Sequence, residues 1–310
     1  MTELAIDIKN LTKIYSSKKA TKLAVDDLSM QIEKGKIFGL LGPNGAGKST
    51  FINILAGIVN KTSGAVKVTN IDLDKDPVAL RYKLGIVPQE IMIDPFFTVK
   101  ETLEIYAGYF GVPKSQRRTM EIIKALGLAD KVNAKSRQLS GGMKRRLLVA
   151  KALVHNPDIL ILYEPTAGVD VELRTQLWEY VRDLNKQGMT IVLTTHYLEE
   201  AQELCDDIAI INEGKVVVQD KKANLMKLLD NKEIVISLAE EIKKIPKQLD
   251  KFAAEQIAID EIRINYKTKE VAVGDILKEI AAAGLDIKDI SIQEPDLEDV
   301  FRFIVNRKTA

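Results

Sequence analysis

The stretch Gly42-Pro43-Asn44-Gly45-Ala46-Gly47-Lys48-Ser49-Thr50 fits the phosphate-binding pattern G-x-x-x-x-G-K-[ST]. An apolar run at 37–41 precedes it and predicts a strand, and residues 49–57 after it predict a helix, as the motif requires. The glycines let backbone N–H groups curl around a phosphate, and the helix N-terminus adds positive potential. Lys48 can reach the β- and γ-phosphates, and the Ser49 hydroxyl can bind Mg²⁺. The alternative is a glycine-rich turn between strand and helix, which the Lys-Ser pair and its flanks disfavour.

Composition limits the classes of protein that remain. The chain has 310 residues, which predicts about two domains, and hydrophobic residues make up 46%, enough for a sizeable core. Lys and Arg number 45 against 44 for Asp and Glu, so no excess of positive charge favours nucleic acid as the main partner. The single cysteine, Cys205, is compatible with a reducing cytosol, and we expect it to be inert packing.

Neither a signal peptide nor a membrane span is expected. The N-terminus MTELAIDIKN has acidic residues and no apolar core. No stretch approaches about 18 uncharged apolar residues, the minimum for a spanning helix. If the chain acts in a membrane process, another chain must supply the spans.

Strand and helix patterns alternate from residue 36 to residue 220. Residues 1–35 indicate short antiparallel strands, and two later runs, 159–163 and 190–194, are apolar throughout, as parallel strands covered on both faces are. A polar run at 230–232 then indicates a linker, and 233–310 predict a small α/β unit. We therefore expect two domains, at 1–230 and 233–310. Within the first, a helix is predicted at 115–126, and His155 is predicted to end a helix at the surface.

A second signal opens a helix rich in Lys and Arg, at Leu139-Ser140-Gly141-Gly142-Met143. Ser140 is a good N-cap, and the glycines permit close approach of the backbone. Taken alone, this is an ordinary capped helix. It gains specificity from the run that follows, Ile159-Leu160-Ile161-Leu162-Tyr163-Glu164-Pro165-Thr166-Ala167-Gly168-Val169-Asp170.

Together these motifs resemble the nucleotide-binding subunits of ABC transporters. Residues 42–50 are similar to the Walker A loop, 139–143 to the signature, 159–164 to the Walker B strand and 167–170 to the D-loop. Gln89, His196 and Tyr15 stand where the family has its Q-loop glutamine, its switch histidine and the aromatic residue that stacks on adenine. The motifs span 1–220 in family order. The runs LSGGM-K-R-R, EPTAGVD, THYLEEAQ and EPDLEDVF resemble the type-2 exporter branch most.

The resemblance implies a fold, ligands and partners. The fold is a P-loop NTPase cassette, with a mostly parallel sheet, an antiparallel β subdomain and a helical signature subdomain, followed here by a small C-terminal α/β domain. The ligands are ATP and Mg²⁺, and Ser49 and Gln89 are the expected metal ligands. Glu164 is expected to be the general base, and Gln89 and His196 complete the catalytic set. ATP is expected to contact Tyr15, Gly42, Pro43, Asn44, Gly45, Ala46, Gly47, Lys48, Ser49, Thr50, Ser140, Gly141 and Gly142.

The partners implied are a second ATP-binding subunit, in a head-to-tail homodimer, and a separate membrane permease. The chain would then work peripherally, at the cytoplasmic face of the cell membrane. The permease would contact the segment after Gln89, roughly 91–111, which includes the aromatics Phe96, Phe97, Tyr106, Tyr109 and Phe110. Such aromatics are more often core than interface.

One position departs from the family pattern. Tyr163 stands where the family has an aspartate that helps hold Mg²⁺. Tyrosine offers an uncharged hydroxyl near neutral pH, and its ring is much larger than a carboxylate. We therefore expect an ATPase with impaired hydrolysis. Two alternatives stay open: a nucleotide-gated binding subunit that does not hydrolyse ATP, and a soluble ABC ATPase of translation or DNA repair.

Overall fold

A computed structural model describes residues 3–17, 20–166, 171–195, 197–242 and 244–306. The chain divides into two compact units, 1–222 and 223–310. The predicted D-loop at 167–170 and His196 lie outside the described residues. The described residues include no helix that is both long enough and apolar enough to cross a membrane.

A six-stranded sheet forms the centre of the first unit, in the order β10-β9-β3-β8-β7-β6. All neighbours are parallel except β9 and β10, which form a hairpin across Glu213 and Gly214, both at positive φ. The middle strands β3 and β8 are buried along their length, as strands of a parallel sheet covered on both faces are. The bounds are β3 Ile37–Leu41, β6 Leu84–Val87, β7 Ile159–Tyr163, β8 Thr190–Thr194, β9 Asp207–Asn212 and β10 Lys215–Lys221.

An antiparallel sheet, ordered β2-β1-β4-β5, packs its apolar residues into the same core. Its strands are β1 Leu4–Ser16, β2 Thr21–Glu33, β4 Ser63–Val68 and β5 Ile71–Asp72. Ile6 and Ile8 of β1 are buried against Phe51 and Leu55, which follow the phosphate loop. This sheet therefore supports the nucleotide loop from one side.

The helices of this unit include a separate group of three, α3, α4 and α5, that pack on one another. A capping box between Thr98 and Glu101 begins α3. The helices are α1 Lys48–Leu55, α2 Pro77–Tyr82, α3 Val99–Tyr109, α4 Thr119–Ala125, α5 Gly141–Leu153, α6 Val171–Lys186, α7 Leu198–Leu204 and, at the boundary, α8 Lys222–Leu225. The parallel sheet, the antiparallel sheet and the helical group confirm the fold predicted from the sequence.

The second unit has its own four-stranded antiparallel sheet, in the order β12-β13-β11-β14. Alternate residues of β11 and β13, such as Ile234, Ile236 and Ile264, pack against Ile276 and Ile280 of α9 in a separate core. The bounds are β11 Asn231–Leu238, β12 Glu255–Ala258, β13 Glu261–Lys267, α9 Val273–Ala282, β14 Ile287–Gln293 and α10 Leu297–Asn306.

Three predictions about element bounds were wrong. The strands predicted to be short within 1–35 are 13 residues long each. The predicted helix at 115–126 begins only at Thr119, because the Arg117 side chain bonds the Val112 carbonyl and the Glu104 carboxylate while its own backbone is extended. The polar run at 230–232 is not a linker, since Asn231 and Lys232 pair with β13 and the units divide earlier, after Lys222.

Candidate functional site

The phosphate loop joins β3 to α1 and depends on two glycines that cannot carry a side chain. A Cβ on Gly42 would lie 2.2 Å from the Ile211 carbonyl oxygen of β9. Gly47 has φ +105, and a Cβ there would lie 2.6 Å from the Ala24 carbonyl oxygen. The loop is thus packed closely against the backbone behind it, and it leads directly into the N-terminus of α1. This is the arrangement that binds a phosphate.

Lys48 is the first residue of α1, and its side chain folds back under the loop. It is 6% exposed, and its Nζ donates to the carbonyl oxygens of Gly42 and Pro43 at 2.6 and 3.0 Å. Burial lowers the pKa of Lys48, and the charge of Glu164 opposes that shift. The Lys48 ammonium is therefore held at the loop, where it interacts electrostatically with the Glu164 carboxylate.

Ser49 and Tyr163 meet at the end of the sheet. Ser49 follows Lys48 in α1, and Tyr163 is the last residue of β7. Their hydroxyl oxygens lie 2.6 Å apart, a hydrogen bond in which either can donate. The tyrosine hydroxyl is thus hydrogen-bonded to the serine hydroxyl that the sequence predicts to bind the metal.

Glu164 and Gln89, both predicted catalytic residues, are in direct contact. The Gln89 amide nitrogen donates to Glu164 Oε2 at 2.8 Å. Glu164 is buried and has φ +45, an unusual backbone conformation for a residue with a side chain. Its N–H donates to the Thr194 carbonyl at the end of β8, 2.8 Å away. The turn after β7 therefore aims the carboxylate at Gln89.

A cavity of about 400 Å³ lies beside these residues. Its polar lining residues are Ser49, Asn53, Gln89, Glu90 and Tyr163, and its other lining residues are Ile52, Ala56, Ile58, Ile86, Pro88 and Met92. The described residues contain no cluster of three or more His, Cys, Asp or Glu side chains that could hold a metal.

The other predicted contacts lie on the surface. Ser140 caps α5, accepting from the Met143 N–H at 3.3 Å, and both Ser140 and Gly141 are exposed. Tyr15 is 39% exposed at the end of β1, with the Lys13 ammonium 4.8 Å from its ring centroid. One face of the Tyr15 ring is thus covered by a cation.

Sequence reasoning missed Arg145, whose guanidinium donates to the Glu164 carbonyl at 2.6 Å. The sequence does contain a sign of its burial. Arg145 lies on the same helix face as Leu148, Val149 and Ala152, at the i, i+3, i+4 and i+7 spacing of a buried face. His155 was predicted at the surface, and this was wrong. Its ring stacks on Phe110 at 3.7 Å, and its Nε2 lies 3.1 Å from the Leu84 carbonyl oxygen.

Comparison with known proteins shows which family this chain resembles in sequence. A protein-family model described as ABC transporter matches residues 25–167. The linearmycin resistance ATP-binding protein LnrL of Bacillus subtilis (strain 168) is 33% identical over 310 residues, covering 97% of this chain and 98% of that protein. The Nod factor export ATP-binding protein I of Burkholderia thailandensis is 41% identical over 228 residues, covering 73% and 74%.

Solved structures extend the likeness to three dimensions. The dimeric post-hydrolysis state of the ATP-binding cassette MJ0796 bound to ADP and Pi has a TM-score of 0.63 and 29% identity. The alignment covers 70% of this chain and 98% of that one. A nucleotide-free cassette from an ABC transporter gives 0.61 and 26%, covering 70% and 91%.

Proposed function

The chain belongs to the ATP-binding proteins of ABC transporters, and on that premise we propose that it binds and hydrolyses ATP to drive export through a separate permease, with hydrolysis slowed by Tyr163. The observation that carries this proposal is the Glu164–Gln89 contact beside a Ser49 hydroxyl engaged by Tyr163. The base and its partner are in place, while the neighbouring residue that should carry a carboxylate carries a phenol.

ATP binding is assigned to the loop and to one aromatic residue. The phosphates are received by the Lys48 ammonium, a charge-assisted contact, and by backbone N–H groups of 42–50 other than Pro43, which has none. Adenine stacks on Tyr15, on the ring face opposite Lys13, since the ammonium covers the other face. A triphosphate that reaches Lys48 competes with the Gly42 and Pro43 carbonyls for its protons.

The second nucleotide contact comes from Ser140, Gly141 and Gly142 across a head-to-tail homodimer. The exposure of Ser140 and Gly141 at the start of α5 supports this, because a group that serves a partner's nucleotide must be open to solvent in the single chain. A two-fold axis makes the arrangement isologous, so two chains form two equivalent ATP sites.

The residues present fit a Mg²⁺ ion that arrives with the nucleotide. Mg²⁺ keeps several waters and takes substrate phosphates as ligands, so a protein need supply only one or two oxygens. Here these would be the Gln89 side chain and the Ser49 hydroxyl, which also forms a hydrogen bond with Tyr163. When bound, Mg²⁺ neutralises charge that develops on the phosphoryl oxygens.

Hydrolysis is assigned to Glu164, which polarises the attacking water as general base. Gln89 orients its carboxylate from one side, and the Thr194 and Arg145 contacts fix its backbone. His196, placed after β8 by the sequence, completes the proposed set. Glu164 and Gln89 are held by hydrogen bonds to their neighbours, as preorganised catalysis requires.

The permease contact is assigned to 91–111, at the cytoplasmic membrane face. Phe96 is 69% exposed and Tyr109 is 76% exposed, and Ile91, Met92 and Phe97 are exposed as well. Several large apolar side chains exposed within one segment indicate an interaction surface rather than core. Tyr106 and Phe110 are half-buried and serve packing.

The second candidate is a subunit that binds ATP and opens and closes without hydrolysis, which the Ser49–Tyr163 hydrogen bond favours. Two measurements on the purified full chain distinguish these two candidate functions. They are the binding of a fluorescent ATP analogue and the release of phosphate from ATP. Binding with slow, Glu164-dependent phosphate release supports the proposal. Binding with no release above that of Glu164→Gln supports the alternative, and no binding refutes both. A chain that never sediments with membranes of its host would instead favour a soluble ABC ATPase.

A further inference from the structure

Arg145 is a buried cation that joins three elements of the first unit. Its side chain is 2% exposed, in the second turn of α5. One nitrogen, Nη1, donates to the carbonyl oxygens of Pro88 and Gln89 at 2.8 and 3.0 Å, and Nη2 donates to the Glu164 carbonyl oxygen at 2.6 Å. A single planar side chain therefore holds the backbone of both residues whose side chains form the proposed catalytic pair.

The burial of this charge is costly, which indicates that the contacts matter. All three acceptors are neutral carbonyl oxygens. Burial lowers the pKa of Arg145, and the carboxylates of Glu164 and Glu200 oppose that effect. A guanidinium nevertheless stays protonated in proteins. An apolar side chain would fill the space without this desolvation, as it does at other buried ion sites, but it could not hold the carbonyl groups.

The carbonyl of Glu164 is part of a strained turn. A residue other than glycine in the left-handed region is strained and persists only where its surroundings impose that conformation. At Glu164, with φ +45, the N–H bonds to Thr194 on one side and the carbonyl accepts from Arg145 on the other. Loss of the guanidinium removes one of these two restraints on the carboxylate's position.

Arg145 is also tied rigidly to the exposed start of α5. Gly141 lies four residues before it, about 6 Å along a helix at 1.5 Å per residue. A helix moves as a unit, so any displacement of Ser140–Gly142 is carried to the guanidinium. The neighbouring Arg146 points elsewhere, donating to the Leu126 and Gly127 carbonyls at 3.0 and 3.4 Å, within the helical group.

We propose that Arg145 is a positioning residue that transmits engagement of Ser140–Gly142 with one nucleotide to the Glu164–Gln89 pair that serves the other. This rests on the proposed function, because it requires the head-to-tail dimer. The exposed helix start of one chain touches the ATP of its partner, and the guanidinium of that same chain restrains the base at its own ATP. The two sites then hydrolyse cooperatively, since each base is well placed only when the opposite nucleotide is bound.

The test uses the full chain with Arg145→Met, which keeps length and removes every donor, and with Arg145→Lys, which keeps the charge but not the planar fork. Arg146→Met is the matched control. Hydrolysis is measured in the Tyr163→Asp background against ATP concentration. We expect Arg145→Met to lower kcat by about 10²-fold, as small misplacements of a catalytic group do. Its Hill coefficient should fall to about 1 while the half-saturating ATP concentration changes little. Arg145→Lys should lie between, and Arg146→Met should leave kcat and the Hill coefficient unchanged.

A second measurement is independent of hydrolysis. Amide hydrogen exchange is followed with and without a non-hydrolysable ATP analogue in peptides covering 140–144, 86–92 and 163–166. In the parent chain the analogue should slow exchange in all three. In Arg145→Met it should slow exchange in 140–144 alone.

The outcomes distinguish a failure of this inference from a failure of the proposed function. Three slowed peptides in Arg145→Met, or a Hill coefficient as high as in the background chain, would overturn the role of Arg145 and leave the ATPase assignment intact. An equal loss in Arg146→Met would also overturn it, by pointing to packing of α5. No effect of the analogue on the parent would overturn the proposed function and this inference with it. If Arg145→Met does not fold, Arg145→Lys decides by the same criteria.

Discussion

The side-chain hydroxyls of Ser49 and Tyr163 lie 2.6 Å apart and join the first turn of α1 to the end of β7 at the mouth of the phosphate loop. A hydrogen bond of this kind contributes about 0.5–1.5 kcal/mol net. A ligand that takes the Ser49 proton competes with this bond, and a ligand that takes an oxygen lone pair shares the hydroxyl with Tyr163. Tyr163 therefore differs from an aspartate in two ways. It supplies no carboxylate, and its hydroxyl forms a hydrogen bond with Ser49.

Restoring the carboxylate with Tyr163→Asp should raise the hydrolysis rate by about 10²-fold or more, equal to about 2.7 kcal/mol of transition-state stabilisation. The reason is that the metal acts most strongly on charge that develops in the transition state. ATP affinity should change less. Phosphate release and binding of a fluorescent ATP analogue measure the two effects separately.

Tyr163→Phe is the matched control, since it releases Ser49 without adding a charge. It should recover little of the rate, which would assign the defect to the missing carboxylate. Adding Glu164→Gln to Tyr163→Asp should abolish the gain, because the base is then absent. A parent chain that already turns over at an ordinary transporter rate, with no response to Tyr163→Asp, would show that the tyrosine is not a defect.

Lys48→Ala should weaken ATP binding by about 1.5–3 kcal/mol, the usual contribution of a charge-assisted contact. The variant also loses the bonds to the Gly42 and Pro43 carbonyls that hold the loop. Titration of the fluorescent analogue measures the effect. Lys34→Ala is the control, because Lys34 pairs with Glu3 on the surface at 3.1 Å. Equal affinity in Lys48→Ala and the parent would contradict the assignment of the loop.

The sequence predicts what is encoded locally. The phosphate loop, β3, β7 and β8 follow from glycine spacing and from unbroken apolar runs, and their bounds agree with the structure. The edge strand β12 was missed because all four of its residues are exposed, so it has no alternating pattern to detect.

Contacts between distant elements were the part that sequence could not supply. In the sequence, Arg145 is one of several basic residues in a predicted helix. Its contacts with the carbonyl groups of residues 88, 89 and 164 form only in the folded chain. His155 precedes Asn156-Pro157, a typical helix end, yet Phe110 at the end of α3 covers its ring. The order of the motifs predicts that Ser49 lies beside position 163. It does not predict the hydrogen bond that Tyr163 forms with Ser49.

His155 should make the protein less stable in mild acid. Burial lowers its pKa in the folded chain, against a smaller opposite effect of its bond to the Leu84 carbonyl. The unfolded chain then binds more protons, so this contribution is fully present above the unfolded pKa of about 6.5 and is lost as the pH falls toward the lower folded value. Urea unfolding of the parent and of His155→Gln, compared between pH 8 and pH 5, measures it. The parent should lose more stability than the variant over this interval, and equal losses would show that His155 does not contribute.

The two units should fold independently, with the division after Lys222 and not at residue 230. The first unit has completed its sheet with β10, and the second has a separate core around Ile234, Ile236 and Ile264. A chain ending at Lys222 should therefore be soluble, unfold in one cooperative transition and bind ATP within about three-fold of the full chain, since such a difference is under 1 kcal/mol. Circular dichroism and analogue binding measure this. A chain ending at Asp206 is the control, because it removes β9 from its pairing with β3 and should not fold. If the chain ending at Lys222 is as insoluble as that control, the two units share stabilising contacts and the boundary is wrong.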